Sequence, residues 1–238
     1  MGKVVASLCK NYSVEVAAGV DAFANPEGFT FPVYKTFKEC KIIADVIIDF
    51  SRPEALDDIL NFAKDNSVNI VLATTGYTDA ERARISEVAK SVAIFQTYNY
   101  SLGINLLAKL CNEAARKLGS NYDIEIIEKH HNQKVDAPSG TAILLGEAIN
   151  NGRDENFVFG RSGKDAKRKA GEIGFSSVRG GNIVGEHDVM FIGNNEIITL
   201  SHSAASRDVF AEGAIRAAMF LKGRCAGKYD MKDVIQNG

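Results

Sequence analysis

The sequence predicts an α/β protein in two parts, a doubly wound parallel sheet and an α+β region. Helical and strand patterns alternate through the first hundred residues, in the β-α-β-α-β order typical of a parallel sheet with helices on both faces. Beyond residue 100 this alternation stops, and three strand patterns between residues 175 and 202 follow one another without helices between them. A helical pattern returns near residues 209–221. We therefore predict one domain over residues 1–100 and 208–238, and another over residues 101–207.

Local patterns predict each element of the first part. Apolar residues recur at helical spacing over residues 2–11, and short apolar runs predict strands over residues 14–20, 45–50, 69–73 and 92–96. Ser51, followed by Arg52-Pro53-Glu54, is typical of a helix start, with a cap, a proline and an acid in the first turn. It predicts a helix to about residue 64, and a second helix is predicted over residues 78–90.

The second part has its own pattern. A helix is predicted over residues 102–118, with an apolar stripe of Leu106, Leu107, Leu110 and Ala114. A strand over residues 122–129 and a helix over residues 139–150 come next. Residues 151–173 are rich in Gly, Lys, Arg and Asp, which predicts a mobile basic loop that could act as a lid. Strands are predicted over residues 175–179, 183–192 and 196–202.

Composition excludes several classes of function. The 238 residues carry 28 Lys and Arg against 30 Asp and Glu, a net charge of −2, so no bulk attraction to nucleic acid is expected. No apolar run has the ~20 residues that a membrane helix needs. The four cysteines are far apart and suit neither a zinc site nor a disulfide framework. Reduced thiols in the cytoplasm are the simplest interpretation.

The most informative segment is Glu125–Ala142, which leaves a strand, crosses a loop and enters a helix. Ser139-Gly140-Thr141 lies at the helix start, where free backbone N–H groups and the helix dipole form an anion site. Lys134 adds a positive charge nearby, and His130 and His131 offer imidazoles for proton transfer. Each feature alone is also compatible with an ordinary helix cap and surface histidines. The segment suits a small carboxylated ligand, and the spacing of its histidines does not indicate a metal site.

At this point the sequence resembles a known family. The string Glu128-Lys-His-His-Asn-Gln-Lys134-Val-Asp-Ala-Pro-Ser-Gly-Thr-Ala142 resembles the signature of the 4-hydroxy-tetrahydrodipicolinate (dihydrodipicolinate) reductases of bacterial lysine and diaminopimelate biosynthesis. Further segments occur in the family's order: residues 45–53, 73–76, 99–105, 178–187 and 201–207. The resemblance covers essentially the whole chain.

The resemblance implies a Rossmann-like dinucleotide-binding domain and a substrate-binding and oligomerisation domain. In the family, hydride from a reduced nicotinamide reaches the ring of a dicarboxylate substrate, water leaves and tetrahydrodipicolinate forms. The resemblance implies that His130 is the catalytic proton donor or acceptor and Lys134 the second donor. The residues implied to bind the substrate's carboxylates are His131, Ser139, Gly140 and Thr141. A homotetramer built through the sheet of residues 175–202 is also implied.

The resemblance extends to the cofactor, NADH or NADPH. It implies contacts near the nicotinamide from Ala73, Thr74, Thr75, Thr97, Tyr98, Asn99 and Tyr100, which follow predicted strand ends. Asp21 matches the acid that holds the adenosine ribose, and Met1 matches the end of the phosphate-binding turn. Ala22 stands where members that accept NADPH often carry Arg, which favours NADH. Ala73 stands where the family usually has Gly, and its methyl group crowds a close backbone approach.

The N-terminus departs from the family pattern. Family members begin with a strand and a glycine-rich turn, whereas Met1-Gly2-Lys3 matches only the end of that turn. We therefore expect Met1 to be an internal methionine and the first strand to be encoded upstream. One alternative is a catalytically impaired relative that binds a dinucleotide or a metabolite without the phosphate-binding turn. Another is a different nicotinamide dehydrogenase, acting on aspartate semialdehyde or homoserine.

Overall fold

A computed structural model describes residues 1–23 and 27–237 of the chain. The chain divides into two compact units. The first unit comprises Met1–Tyr100 together with Asp208–Gly238, and the second unit comprises Ser101–Arg207.

Helices and strands cover most of both units. Residues 1–100 form α1 (Gly2–Cys9), β1 (Gly19–Val20), β2 (Val33–Tyr34), β3 (Val46–Asp49), α2 (Leu56–Asn66), β4 (Asn69–Leu72), α3 (Asp79–Val88) and β5 (Ala93–Gln96). Residues 101–207 form α4 (Leu102–Leu118), β6 (Asp123–His130), α5 (Gly140–Asn150), β7 (Asn156–Phe159), β8 (Glu172–Arg179), β9 (Glu186–Ile192) and β10 (Ile197–Ser203). After residue 207 come α6 (Asp208–Leu221), β11 (Gly227–Tyr229) and α7 (Met231–Asn237). No helix of the described chain combines the length and the apolar character needed to cross a bilayer.

The first unit contains a four-stranded parallel sheet in the order β11-β5-β4-β3, and β1 pairs with β2 in a separate two-stranded parallel sheet. Adjacent residues of β3 point to opposite faces: Ile47 packs with the core of α2 and α3, and Ile48 with that of α1 and α6. Ile70, Val71 and Leu72 of β4 are all buried, as expected for a strand covered on both faces. The prediction of a doubly wound α/β fold is confirmed.

Three local predictions in the first unit need correction. The strand predicted over residues 14–20 is reduced to β1, because only these two residues pair with β2. Ser51 does not cap α2, since its hydroxyl donates to the carboxylate of Asp49 at 2.5 Å and a 3₁₀ turn over Pro53–Ala55 precedes the helix. The strand β11, which extends the sheet beside β5, was not predicted because it has only three residues.

The second unit is a five-stranded sheet with α4 and α5 packed on one face. The strand order is β10-β9-β6-β8-β7, with β6, β7 and β8 parallel and β9 and β10 antiparallel to their neighbours. The core of the unit lies between the helices and this face, and its largest fully buried members are Ile124, Ile126, Leu145, Ile149 and Phe191.

The apolar stripe predicted for α4 is shifted. Ile104, Leu107, Cys111 and Ala115 are the buried residues of this helix, while Leu106 and Leu110 are each 44% exposed. The buried set advances by three and then four residues, which keeps it on one face of a 3.6-residue helix. Leu106 and Leu110 are rotated away from this face.

The prediction of a mobile basic loop over residues 151–173 is wrong in two respects. Residues 156–159 form β7, which pairs with β8. Arg161 and Arg168 are mostly buried and form ion pairs with the carboxylate of Glu125, and Arg161 also pairs with Glu172 at 3.1 Å. Composition indicates a solvated basic segment, but acids on β6 and β8 hold two of its arginines.

Candidate active site

Polar side chains gather at one end of the five-stranded sheet of the second unit. The parallel strands β6 and β8 end side by side, with His130 opposite Arg179 in the ladder. The antiparallel strand β9 begins at the same end and places His187 opposite Glu128. The carboxyl ends of parallel strands are a common position for ligand sites in α/β proteins.

Alternation along β6 turns two polar residues toward the core. Side chains of a strand point alternately to opposite faces, so Glu128 and His130 share the inward face with Ile124 and Ile126. Glu128 is fully buried, and His130 is only 8% exposed. A charged residue on the inward face of a strand needs partners for its charge.

Glu128 has those partners on three elements. Arg179 on β8 donates from both terminal nitrogens, Nη1 to Oε2 at 2.7 Å and Nη2 to Oε1 at 2.6 Å. The backbone N–H of Ser139, just before α5, donates to Oε1 at 3.1 Å. Nδ1 of His130 lies 2.6 Å from Oε2. Burial alone raises the pKa of Glu128, but hydrogen bonds from Arg179, Ser177 and His130 outweigh it and lower the pKa to about 2.

Ser139 caps the N-terminus of α5, as the sequence predicts. Its hydroxyl oxygen accepts from the backbone N–H of Ala142 at 3.1 Å, the usual bond of a serine cap. The same oxygen lies 3.1 Å from Nε2 of His187. Ser139 is 1% exposed, so its polar atoms serve the protein interior.

His187 is a neutral imidazole beside the cap. Burial is the main cause that lowers its pKa, to about 4, and the neighbouring His130 adds to the effect. The two rings meet edge to face, with centroids 5.2 Å apart.

Lys134 and the start of α5 already meet a carboxylate of the same chain. Nζ of Lys134 lies 2.8 Å from Oδ1 of Asp136, and the backbone N–H of Gly140 also donates to this carboxylate. The hydrogen bond from Lys134 is the main cause that holds the pKa of Asp136 below its usual range. The predicted anion site thus binds an anion in this structure, and that anion is Asp136.

The other two predicted substrate residues flank this pair. His131 is half-buried, and its carbonyl accepts from the backbone N–H of Lys134 at 3.2 Å. Thr141 is half-buried in the first turn of α5. The second unit therefore contains all six residues predicted for catalysis and substrate binding.

Sequence reasoning missed Glu128, Arg179 and His187. Each stands inside a segment that resembles the family, but the resemblance assigned a role to none of them. The available signal was the alternation of β6, which puts Glu128 in register with two buried isoleucines.

The residues predicted to bind the cofactor follow strand ends of the first unit. Ala73, Thr74 and Thr75 follow β4, and Thr97, Tyr98, Asn99 and Tyr100 follow its parallel neighbour β5. Asp21 follows β1, with its carboxylate accepting from the backbone N–H of Phe23 at 2.9 Å. Met1 precedes α1, and its carbonyl accepts from the backbone N–H of Val4 at 2.8 Å.

These groups fit a nicotinamide dinucleotide. Thr74 is buried just after β4, beside the hydroxyl of Tyr77. Asp21 offers the carboxylate that ribose hydroxyls require. Tyr98 is 96% exposed and available for contact.

Tyr100 has a different position from its neighbours. It is buried, and its hydroxyl donates to the carbonyl of Leu72 at 2.7 Å. Burial raises its pKa well above the usual value. Tyr100 thus ties the end of β4 to the segment that follows β5.

Comparison with known proteins decides the family. The family model described as "Dihydrodipicolinate reductase, N-terminus" matches residues 1–100, and the family model described as "Dihydrodipicolinate reductase, C-terminus" matches residues 103–235. The chain belongs to the dihydrodipicolinate reductase family. A relative from Clostridium novyi (strain NT), named 4-hydroxy-tetrahydrodipicolinate reductase, is 48% identical over 100% of this chain and 94% of its own length. A relative of the same name from Caldanaerobacter subterraneus subsp. tengcongensis is 51% identical over 100% of this chain and 95% of its own.

Solved structures agree with membership of the dihydrodipicolinate reductase family. The dipicolinate-bound dihydrodipicolinate reductase from Paenisporosarcina sp. TG-14 superposes with a TM-score of 0.77 and 25% identity, over 96% of this chain and 92% of that one. A probable dehydrogenase from Thermotoga maritima shares the fold, with a TM-score of 0.63 and 12% identity over 98% of this chain and 89% of that one.

Proposed function

We propose that this chain reduces 4-hydroxy-tetrahydrodipicolinate to tetrahydrodipicolinate with a reduced nicotinamide cofactor, a step of lysine and diaminopimelate biosynthesis. One observation carries the proposal. In this chain, which belongs to the family, Lys134 and the first turn of α5 together hold the carboxylate of Asp136. They do so at the end of the sheet where β6 places His130. An ammonium group and a helix N-terminus suit a carboxylate ligand, and an imidazole suits proton transfer.

Substrate binding replaces one carboxylate by another. In the proposal, a carboxylate of the substrate takes the place of Asp136 at Lys134 and at the backbone N–H of Gly140. Asp136 is half-exposed, with 53% of its side chain accessible, so it moves into solvent at little cost. His131 and Thr141 flank this position and contact the same dicarboxylate, while Ser139 holds the helix start in place.

His130 and Lys134 supply the proton chemistry in the proposal. The cofactor, when bound, would supply a hydride to the substrate ring, and the 4-hydroxyl group would take up a proton and leave as water. Negative charge that develops on the ring is stabilised by the ammonium group of Lys134, and His130 transfers a proton to or from the ring system. The buried position of His130 keeps bulk water away from this transfer.

The first unit holds the cofactor in the proposal. Asp21 binds the adenosine ribose, Met1 lies near the phosphates, and the residues that follow β4 and β5 contact the nicotinamide end: Ala73, Thr74, Thr75, Thr97, Tyr98, Asn99 and Tyr100. Because Ala22 offers no positive charge for a 2′-phosphate, we propose a preference for NADH over NADPH.

Two variants and a control test the assignment of residues. His130→Ala and Lys134→Ala should each lower kcat by about 10²-fold or more, the usual contribution of a positioned proton donor. Lys109→Ala removes an exposed lysine of the same unit and should leave kcat unchanged. The assay follows oxidation of NADH with the condensation product of pyruvate and aspartate semialdehyde. Near-normal turnover in either site variant removes that residue from the proposed mechanism.

We also propose a cytoplasmic homotetramer built through the face of the second unit's sheet that α4 and α5 leave uncovered. Val178 and Ile197 point away from the helices and are 47% and 58% exposed, which supports an apolar contact there. All four cysteines are free thiols, as expected in a reducing compartment. Light scattering should give about four times the chain mass of 25.8 kDa. A monomeric mass would contradict the tetramer.

A further inference from the structure

The carboxylate of Glu128 faces groups that donate hydrogen bonds. Oε1 accepts from Nη2 of Arg179 and from the backbone N–H of Ser139, and Oε2 accepts from Nη1 of Arg179. A guanidinium and a backbone amide can only donate. Oε2 also lies 2.6 Å from Nδ1 of His130, the only one of these four partners whose role depends on where its proton sits. The Ser177 hydroxyl, which also bonds this carboxylate, can both donate and accept.

We propose that Glu128, clamped by Arg179, is a positioning residue that fixes His130 as the Nδ1–H tautomer. The carboxylate accepts the Nδ1 proton, which leaves Nε2 as the atom that exchanges a proton with the substrate. Glu128 does not touch the substrate itself, because it is fully buried and its oxygens are occupied. This inference deepens the proposed function and rests on it for the identity of the reaction.

The ion pair between Arg179 and Glu128 differs from an ordinary surface ion pair. The two bonds from Arg179 are parallel and short, at 2.6 and 2.7 Å, which fixes the plane of the carboxylate and therefore the direction of the His130 ring. Arg179 is itself held, because Nη2 donates to the carbonyl of Asp136 at 2.7 Å and Nη1 to that of Val178 at 2.8 Å. The ring is thereby tied to β8 and to the loop that follows β6.

The charge around His130 comes from several elements. Glu128 lies on its own strand, Arg179 on β8 and His187 on β9. The positive charge of Lys134, which pairs with Asp136, lowers the pKa of His187, and His202 on β10 lowers it as well. Glu128 is the anion in direct contact with the His130 ring.

Replacing Glu128 by Gln makes a sharp prediction about the tautomer. The amide nitrogen of Gln needs acceptors, and at the Oε1 position it would meet two groups that can only donate. At the Oε2 position it meets Nη1 of Arg179 and Nδ1 of His130, and Nδ1 can become an acceptor by losing its proton to Nε2. Because the Ser177 hydroxyl could also accept from this amide, Glu128→Gln is combined with Ser177→Ala, and this double variant should switch His130 from the Nδ1–H to the Nε2–H tautomer.

The first test reads the tautomer without reference to activity. In ¹⁵N NMR spectra of the full chain near pH ~8, where a free imidazole is neutral, the four histidine rings are assigned by single substitutions. We expect His130 as Nδ1–H in the wild type and as Nε2–H in the Glu128→Gln, Ser177→Ala double variant. An Nε2–H tautomer in the wild type overturns the inference whether or not the variant folds. An unchanged tautomer in the folded double variant also overturns it.

The second test separates positioning from structure by kinetics. Glu128→Gln should lower kcat by roughly 10²–10⁴-fold, with KM changed by less than about threefold. Glu125→Gln is the matched control, since this acid lies on the same strand but on the opposite face, bonded to Arg161 at 3.0 Å. Glu125→Gln should leave kcat and KM unchanged.

Arg179→Lys keeps the carboxylate of Glu128 but replaces the two hydrogen bonds of the guanidinium with a single ammonium charge. It should retain the Nδ1–H tautomer and lose less kcat than Glu128→Gln. A loss of kcat in Glu128→Gln that Glu125→Gln matches, or one accompanied by an equal rise in KM, would contradict the positioning role. If the wild type fails to reduce the proposed substrate, the proposed function fails, while the NMR result still decides the inference about Glu128.

Discussion

Removing the guanidinium of Arg179 should destabilise the chain because it leaves a buried carboxylate without its strongest partner. The folded protein lowers the pKa of Glu128 from 4.5 to about 2. Each tenfold change in the acid constant is worth about 1.4 kcal/mol, so the charged form gains about 3 kcal/mol from its surroundings. Arg179→Met should lower the free energy of unfolding by about 3–5 kcal/mol at neutral pH, the usual cost of breaking a buried ion pair.

The same argument gives the pH dependence and its sign. The lowered pKa means that Glu128 stabilises the fold above about pH 4.5 and loses this contribution as pH falls toward about 2. In Arg179→Met the carboxyl group protonates at higher pH, so the difference in stability between wild type and variant should shrink as the solution is acidified. Urea unfolding near pH 7 and pH 3 measures both values.

Arg161→Met is the matched control for Arg179→Met. Arg161 also pairs with two oxygens in the second unit, but both of its partners are partly exposed, at 24% and 13%. It should lose less than half as much stability. The reasoning is refuted if Arg179→Met is as stable as the wild type near neutral pH, or if the stability difference does not change with pH.

Three further predictions concern other positions. The folded protein keeps the His187 imidazole neutral, so the free energy of unfolding of the wild type should fall by about 3 kcal/mol between pH 6.5 and about 4. His187→Leu should abolish this pH-dependent loss, and urea unfolding across that window measures it. Gly213→Ala should lower Tm in thermal unfolding, at a cost of about 1–3 kcal/mol, since a Cβ on α6 would overlap the carbonyl oxygen of Tyr100. The effect of Gly185→Ala should fall mainly on kcat rather than on Tm, because its Cβ would lie 3.0 Å from Nε2 of His130.

Local chemistry accounts for the parts of the fold that the sequence predicts well. Thr78 and Glu81 form a reciprocal capping box at the start of α3, and Ser139 caps α5, both from residues within three positions of each other. Strands such as β4 are continuous apolar runs and need no long-range information. Such elements can be read from a window of a few residues.

The central contact of the candidate site cannot be found in this way. Glu128 and Arg179 are 51 residues apart and meet because β6 and β8 are parallel neighbours in one register. Nothing in the residues between them specifies that register. The same holds for Arg161, whose partner Glu125 is 36 residues away, and this is why composition wrongly predicts a free basic loop.

The resemblance to a family implies roles for His130 and Lys134 but not for the groups that hold them. A local sequence pattern indicates which residues could face a ligand. Glu128 and His187 instead lie in the protein interior. Their role depends on burial and on exact partners, which require coordinates.

The most direct test of the proposed function is a measurement of product against cofactor in the wild-type chain. The condensation product of pyruvate and aspartate semialdehyde is supplied with NADH, and separately with NADPH, and tetrahydrodipicolinate is quantified as the cofactor is oxidised. The account predicts one molecule of product for each cofactor oxidised, faster with NADH than with NADPH. Cofactor oxidation no faster than in the absence of protein, with either nucleotide, would contradict it.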